Sequence, residues 1–113
     1  MLVKDLFQVL ADETRLRCLA LINEHKELCV CELSYALALS QPKISRHLAT
    51  LKLNGLVLQR REGQWMLYSF NPNLSEFEQK LMALVVTELK SQTQFQQDNQ
   101  RLGMMQNRPV CQR

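Results

Sequence analysis

The chain has 113 residues, 46% of them hydrophobic, and 14 Lys+Arg against 11 Asp+Glu give a net charge of +3. That length makes one ordinary domain and leaves no room for a catalytic domain beside a regulatory one. A second copy would help so short a chain bury surface. The longest strongly apolar run, Leu81 to Val86, is six residues, far short of the ~20 that span a bilayer. The opening Met1-Leu2-Val3-Lys4-Asp5-Leu6 carries charge where a signal peptide is apolar. No membrane or secreted role is expected, and the expected compartment is the cytoplasm. There Cys18, Cys29, Cys31 and Cys111 are reduced thiols. Their spacing is not that of a disulfide framework, which leaves core packing, ligation of a metal or metalloid, or redox sensing.

Leu2 to Leu10 reads as a short helix with Leu2, Leu6, Phe7 and Leu10 on one side. Asp12 is placed to cap a second helix, in which Leu16, Leu19 and Ile22 recur at helical spacing. Glu24 to Glu27 is a polar connector and Leu28 to Cys31 an extended junction; Glu32 to Leu39 is a third short helix. Ser40 caps the next helix, Pro42 sits in its first turn where the missing N–H costs nothing, and Gly55 follows its end near Asn54. Two helices joined by only one or two residues fit a helix-turn-helix. The period then changes from helix to strand: Val57 to Arg61 and Trp65 to Phe70 flank Glu62-Gly63-Gln64 as a hairpin. Ser75 and Glu78 have capping-box spacing and open a helix running to about Gln92. The fold class expected is mainly α with a small β-hairpin, a winged helix-turn-helix over residues 1–90. Residues 91–113, crowded with Gln, Asn and Ser, read as a polar, flexible tail.

At about 100° per residue the helix from Gln41 to Lys52 splits into two faces. Ile44, Leu48 and Leu51 form the packing stripe. Lys43, Arg46 and Thr50 lie opposite with His47 at their edge, and Gln41 and Ser45 stand near the end that a recognition helix pushes into the major groove. Arg can pair with guanine edges and Gln with adenine. Arg60, Arg61 and Gln64 on the wing suit phosphate or minor-groove contact. Residues 40–70 carry five Lys or Arg against Glu62 alone, so the basic excess lies in the segment expected to meet double-stranded DNA.

Three stretches, Ala11-Asp12-Glu13-Thr14-Arg15-Leu16-Arg17, Glu27-Leu28-Cys29-Val30-Cys31-Glu32-Leu33 and Ser40-Gln41-Pro42-Lys43-Ile44-Ser45-Arg46-His47-Leu48, resemble the ArsR/SmtB metal-responsive repressors, as does Gly63-Gln64-Trp65. The resemblance spans residues 5 to about 90. It implies a homodimer that represses its own resistance operon from a palindromic operator and lets go when a metalloid binds. It also implies that Cys29 and Cys31 are the ligands of the inducer, As(III) or Sb(III), with no cofactor needed for DNA binding. Thiolate ligation selects soft ions. On an ideal helix the two cysteines stand about 200° apart, so joint binding is expected to favour an unwound first turn, and a helix N-terminus favours thiolates. Arsenite sensors of this type commonly have a third cysteine where this chain has Ser34. A third thiolate could come from Cys111, from Cys18 or from a small-molecule thiol. The histidine and carboxylate ligands of the zinc-sensing members have no counterpart on the terminal helix, since the histidines are His25 and His47.

The helix after Ser75 is apolar around most of its circumference, so two of its sides must be covered. One side meets the domain; the other is expected to meet a partner copy. The interface expected is Leu2, Leu6, Phe77, Leu81, Leu84, Val85 and Leu89. The alternatives are a repressor sensing thiol oxidation or another soft metal, cadmium or lead, with the same cysteines, and a small thiol oxidoreductase. The last predicts a βαβ pattern or Cys-x-x-Cys that the chain lacks. No catalytic residues are discernible, and an enzyme is not expected.

Overall fold

The computed structural model describes residues 1–108. Helices α1 (Val3–Leu10) and α2 (Glu13–His25) lead into a two-residue strand β1 (Leu28–Cys29). Then come α3 (Val30–Leu37), α4 (Gln41–Leu53), the hairpin β2 (Val57–Glu62) and β3 (Trp65–Phe70), α5 (Glu76–Lys90) and α6 (Thr93–Gly103). This is a winged helix-turn-helix with terminal helices.

The local start signals act as expected. The Arg15 amide donates to Asp12 Oδ1 at 3.0 Å, and the Lys43 amide to Ser40 Oγ at 3.3 Å. Ser75 and Glu78 cap each other reciprocally at 2.9 and 3.1 Å. Each such cap is worth about 0.5–2 kcal/mol. Between α3 and α4 lie three residues rather than one or two. Ala38 turns the chain at φ +58, held by the Leu39 amide on Ser34 O and by the Ser34 hydroxyl on Leu39 O. In the wing the register pairs Glu62 with Trp65. The loop is therefore Gly63-Gln64, with positive φ at Gly63, the position that a type II′ turn reserves for glycine.

The core gathers Leu19, Leu21, Ile22, Leu33, Ile44, Leu48, Leu51 and Leu67, all essentially inaccessible. α4 buries the expected stripe of Ile44, Leu48 and Leu51. On α5 the domain-facing residues are Met82 and Val86, while Phe77 and Leu84 stand exposed. The helix is covered on one side only by its own chain.

Three expectations need correction. The junction at Leu28 is a strand: it pairs antiparallel with β3, Leu28 opposite Tyr68 and Cys29 opposite Leu67, which makes the wing sheet three-stranded in the order β1-β3-β2. Two residues are too few for a period to show, and only the partner edge reveals them. Second, residues 93–103 are not a flexible tail. α6 lies against α2 and α3 with Leu102 buried and Phe95 packed on the core. Its other anchor is polar: the Arg17 guanidinium clasps the buried Asp98 carboxylate at 2.8 and 2.9 Å and also donates to Leu37 O. Arg101 donates to Ala36 O at 3.0 Å. A helix held by a buried ion pair shows too sparse an apolar pattern to be recognised by periodicity. Third, Leu6 is 1% exposed inside its own core and is not available to a partner copy. The exposed apolar residues of this first segment are Met1, Leu2, Val3 and Phe7.

Candidate functional site

On α4, Gln41, Ser45 and Arg46 are exposed and Lys43 and Thr50 half-buried. The Thr50 hydroxyl donates back to Arg46 O at 3.2 Å. His47 is turned toward the body of the domain. Its Nδ1 lies 3.3 Å from Arg15 Nη1 and 3.8 Å from Asp12 Oδ1. Burial, with Arg15, Lys43 and Arg46 nearby, holds it below the usual histidine range despite Asp12. The same Arg15 donates to Val9 O at 2.7 Å and to Gln8 O at 3.4 Å. His47 therefore links the end of α1 to the middle of α4 through Arg15 and is only partly exposed. In the helical projection it lay at the edge between the two faces, and only the packing of α2 decides its direction.

The two wing arginines point to opposite faces of β2, as neighbours in a strand do. Arg60 donates to Glu27 at 2.6 and 2.8 Å and lies 3.0 Å from Glu62. Those carboxylates raise its already high pKa and largely neutralise its field. Arg61 is exposed, with one donor on Gly63 O at 3.3 Å, and Gln64 is exposed at the tip. The outward positive charge of the wing therefore rests on Arg61.

The cysteine pair sits where α3 begins. Cys29 is the N-cap, in extended backbone (φ −94, ψ 168), and Cys31 lies in the first turn. The sulfurs are 2.7 Å apart in a thiol–thiol contact, Cys29 buried and Cys31 partly exposed. This differs from the expectation that an unwound turn is needed to bring them together. The angular count of a helix begins only after the cap, so an extended residue followed by a helical one already shares a face. Burial, the hydrogen bond to Cys31 and the nearby Glu32 charge push the Cys29 thiol up, outweighing the Glu32 amide that lowers it. The resting group is a thiol and not the thiolate that a helix N-terminus alone would favour. A shallow pocket of about 230 Å³ opens on the pair, lined also by Val30, Trp65, Met66, Gln41 of α4 and Gln64 of the wing.

Glu32 was not singled out as functional in the sequence. Its fully buried carboxylate accepts the Cys29 amide at 2.9 Å and is paired with Arg108 at 2.9 Å. An acid three residues after a helix cap was the available signal. Cys18 is buried on α2, its thiol pushed up to about 12 by burial, and does not line the pocket. Ser34 spends its hydroxyl on Leu39 O. Cys111 lies outside the described residues. Among the described residues no group of three or more His, Cys, Asp or Glu is placed to hold a metal ion, and no helix is long and apolar enough to cross a membrane.

Residues 12–58 match the sequence pattern described as bacterial regulatory protein, arsR family. The chain is 49% identical to the arsenic resistance transcriptional regulator ArsR2 of Pseudomonas putida, over 94% of this chain and 90% of that one. It is 51% identical to the arsenical resistance operon repressor of Escherichia coli, over 68% and 66% respectively. The structure superposes on the homodimeric winged helix-turn-helix DNA-binding domain Mb0332 of Mycobacterium bovis with a TM-score of 0.65 and 30% identity, covering 80% of this chain and 81% of that one.

Proposed function

The chain belongs to the arsR family of bacterial regulatory proteins, and on that premise we propose how it works: a cytoplasmic homodimer holds a palindromic operator and leaves it when As(III) or Sb(III) is gathered by Cys29 and Cys31. It is an arsenic-resistance transcriptional regulator and not an enzyme. Two copies join through the exposed Leu2, Val3 and Phe7 and through Phe77 and Leu84, with the half-buried Leu81, Val85 and Leu89 beside them. A two-fold dimer sets the two α4 helices into successive major grooves, so half-sites are spaced by whole helical turns. Gln41, Ser45 and Arg46 read base edges, and Lys43, Arg61 and Gln64 hold the backbone or the minor groove.

One observation carries the switch. Cys29 belongs at once to the cap of α3 and to the wing sheet, and the pocket that the two cysteines line is also lined by Gln41 and Gln64. Replacing a thiol–thiol contact by two bonds to one ion moves the sulfurs, and the elements adjoining them are the two that meet DNA. A coupling of about 1–3 kcal/mol, roughly a 5- to 150-fold loss of operator affinity, is the scale expected. By linkage, operator DNA weakens arsenite binding by the same factor. The test is operator release by arsenite in the wild type, Cys29→Ser and Cys31→Ser. Either variant is expected to bind DNA normally and to stay bound in arsenite. A variant lacking both thiols that still releases refutes the assignment.

A further inference from the structure

Resting on the dimeric operator reading just given, the geometry points to Arg15 as a positioning residue. Through His47 it ties the reading helix α4 to α1, the helix that meets the partner copy, and so fixes the distance between the two α4 helices of a dimer. Helix α1 has no basic residue in its last turn, so no cation of its own faces the negative end of its dipole. Arg15 of α2 supplies one: Nε donates to Val9 O at 2.7 Å and Nη2 to Gln8 O at 3.4 Å. Its backbone amide is held by Asp12 Oδ1 at 3.0 Å. Only Ala11 and Asp12 separate the two helices, and Arg15 closes the corner between them with both its main chain and its side chain. The remaining nitrogen, Nη1, stands 3.3 Å from His47 Nδ1. A guanidinium only donates, so Nδ1 accepts and the ring proton sits on Nε2.

A two-fold dimer reads two half-sites at once, and both α4 helices must reach their grooves together. Their separation depends on how firmly each is tied to the dimerising surface of its own chain. On α1 that surface is Leu2, Val3 and Phe7, all exposed, while Val9 and Leu10 at the Arg15 end are buried. Ile44, Leu48 and Leu51 seat α4 on the core, but apolar packing is non-directional. The hydrogen bond to His47 is directional and adds a fixed register between α4 and the end of α1. The His47 side chain is 18% exposed, with Asp12 Oδ1 3.8 Å from the same Nδ1, so the contact is sheltered by the corner it braces.

The test separates aiming from touching. The full chain is titrated, by fluorescence anisotropy of labelled DNA, onto a palindromic operator selected from random-sequence DNA and onto a fragment holding a single half-site. A third fragment is the palindrome with about two base pairs added between its half-sites. Arg15→Met and His47→Leu are each expected to lose about tenfold on the palindrome, within the range of coupling between sites, and to bind the single half-site within about twofold of wild type. The penalty for the added base pairs is expected to shrink in both. His47→Asn, whose amide oxygen can stand where Nδ1 stands, is expected to recover most of the loss. Arg15→Met with His47→Leu is expected to be no worse than either alone, since both remove one contact. Circular dichroism and sedimentation check that each variant is folded and dimeric; should Arg15→Met not fold, the two His47 variants carry the test. Equal losses on palindrome and half-site overturn the proposal, because they mark a direct DNA contact or a general weakening. So do an undiminished palindrome affinity, additive losses in the double variant, no recovery in His47→Asn, or a variant that is monomeric. A wild type that binds the palindrome no tighter than the half-site overturns the dimeric operator reading itself.

Discussion

Where α3 meets the wing, it carries two thiols at its cap, a shallow pocket of mixed polarity and a two-residue strand on the edge of the sheet. Where α3 meets α6, it is held by charge: Glu32 is buried against Arg108, Arg17 reaches from the buried Asp98 to Leu37 O, and Arg101 reaches Ala36 O. The first region can change its bonding at smaller cost, because its two sulfurs are held by a thiol–thiol contact and by no ion pair. The second cannot, because moving one partner leaves a buried carboxylate unpaired. On the switch proposed above, a distortion begun at the cysteines is expected to travel toward the wing and α4, with α6 as the fixed wall.

The largest test removes that wall. Arg17→Met leaves Asp98 buried without its guanidinium and is expected to cost about 3–5 kcal/mol of unfolding free energy by urea titration. A loss below about 1 kcal/mol, the level of an exposed pair, would show that α6 does not brace α3. A milder cut is Glu32→Gln, which keeps an acceptor for the Cys29 amide and removes the charge facing Arg108. It is expected to cost about 1–3 kcal/mol while leaving arsenite-driven operator release within about threefold of wild type. If release shifts by much more than that, the two regions are not separable.

The smallest effect concerns the thiols. Burial and the Cys31 contact keep Cys29 protonated at rest, so exchange with neutral As(OH)3 carries the Cys29 proton away as water. Arsenite affinity should then change by less than about twofold between pH 6 and 8. A divalent soft cation must instead expel protons, so Cd²⁺ binding should tighten about tenfold per pH unit for each proton displaced. Calorimetry in buffers of different ionisation enthalpy reads both. An arsenite affinity that climbs with pH would mean that the resting Cys29 is not the thiol described.

The helix-turn-helix, the wing and the caps at Asp12, Ser40 and Ser75 were legible because each is written within a few consecutive residues. The proximity of the cysteine pair was legible by type and spacing. The direction of His47, the neutralisation of Arg60 by Glu27 and the partition of α5 into a domain side at Met82 and Val86 and an open side at Phe77 and Leu84 were not. A helical or strand period says which residues share a face, and not which face a neighbour will cover.

From its sequence alone this protein is a winged helix-turn-helix with a basic reading face and two vicinal thiols, because capping, period and charge act over one or two turns of chain. Only the tertiary structure decided that residues 93–103 are a packed helix, that Glu32 is a buried anchor and that the sulfurs open on a pocket bordered by the wing. Those outcomes rest on partners such as Arg17 with Asp98 and Glu32 with Arg108, 81 and 76 residues apart. The free energy of a buried charge depends on which group folding brings beside it, and no local pattern records that.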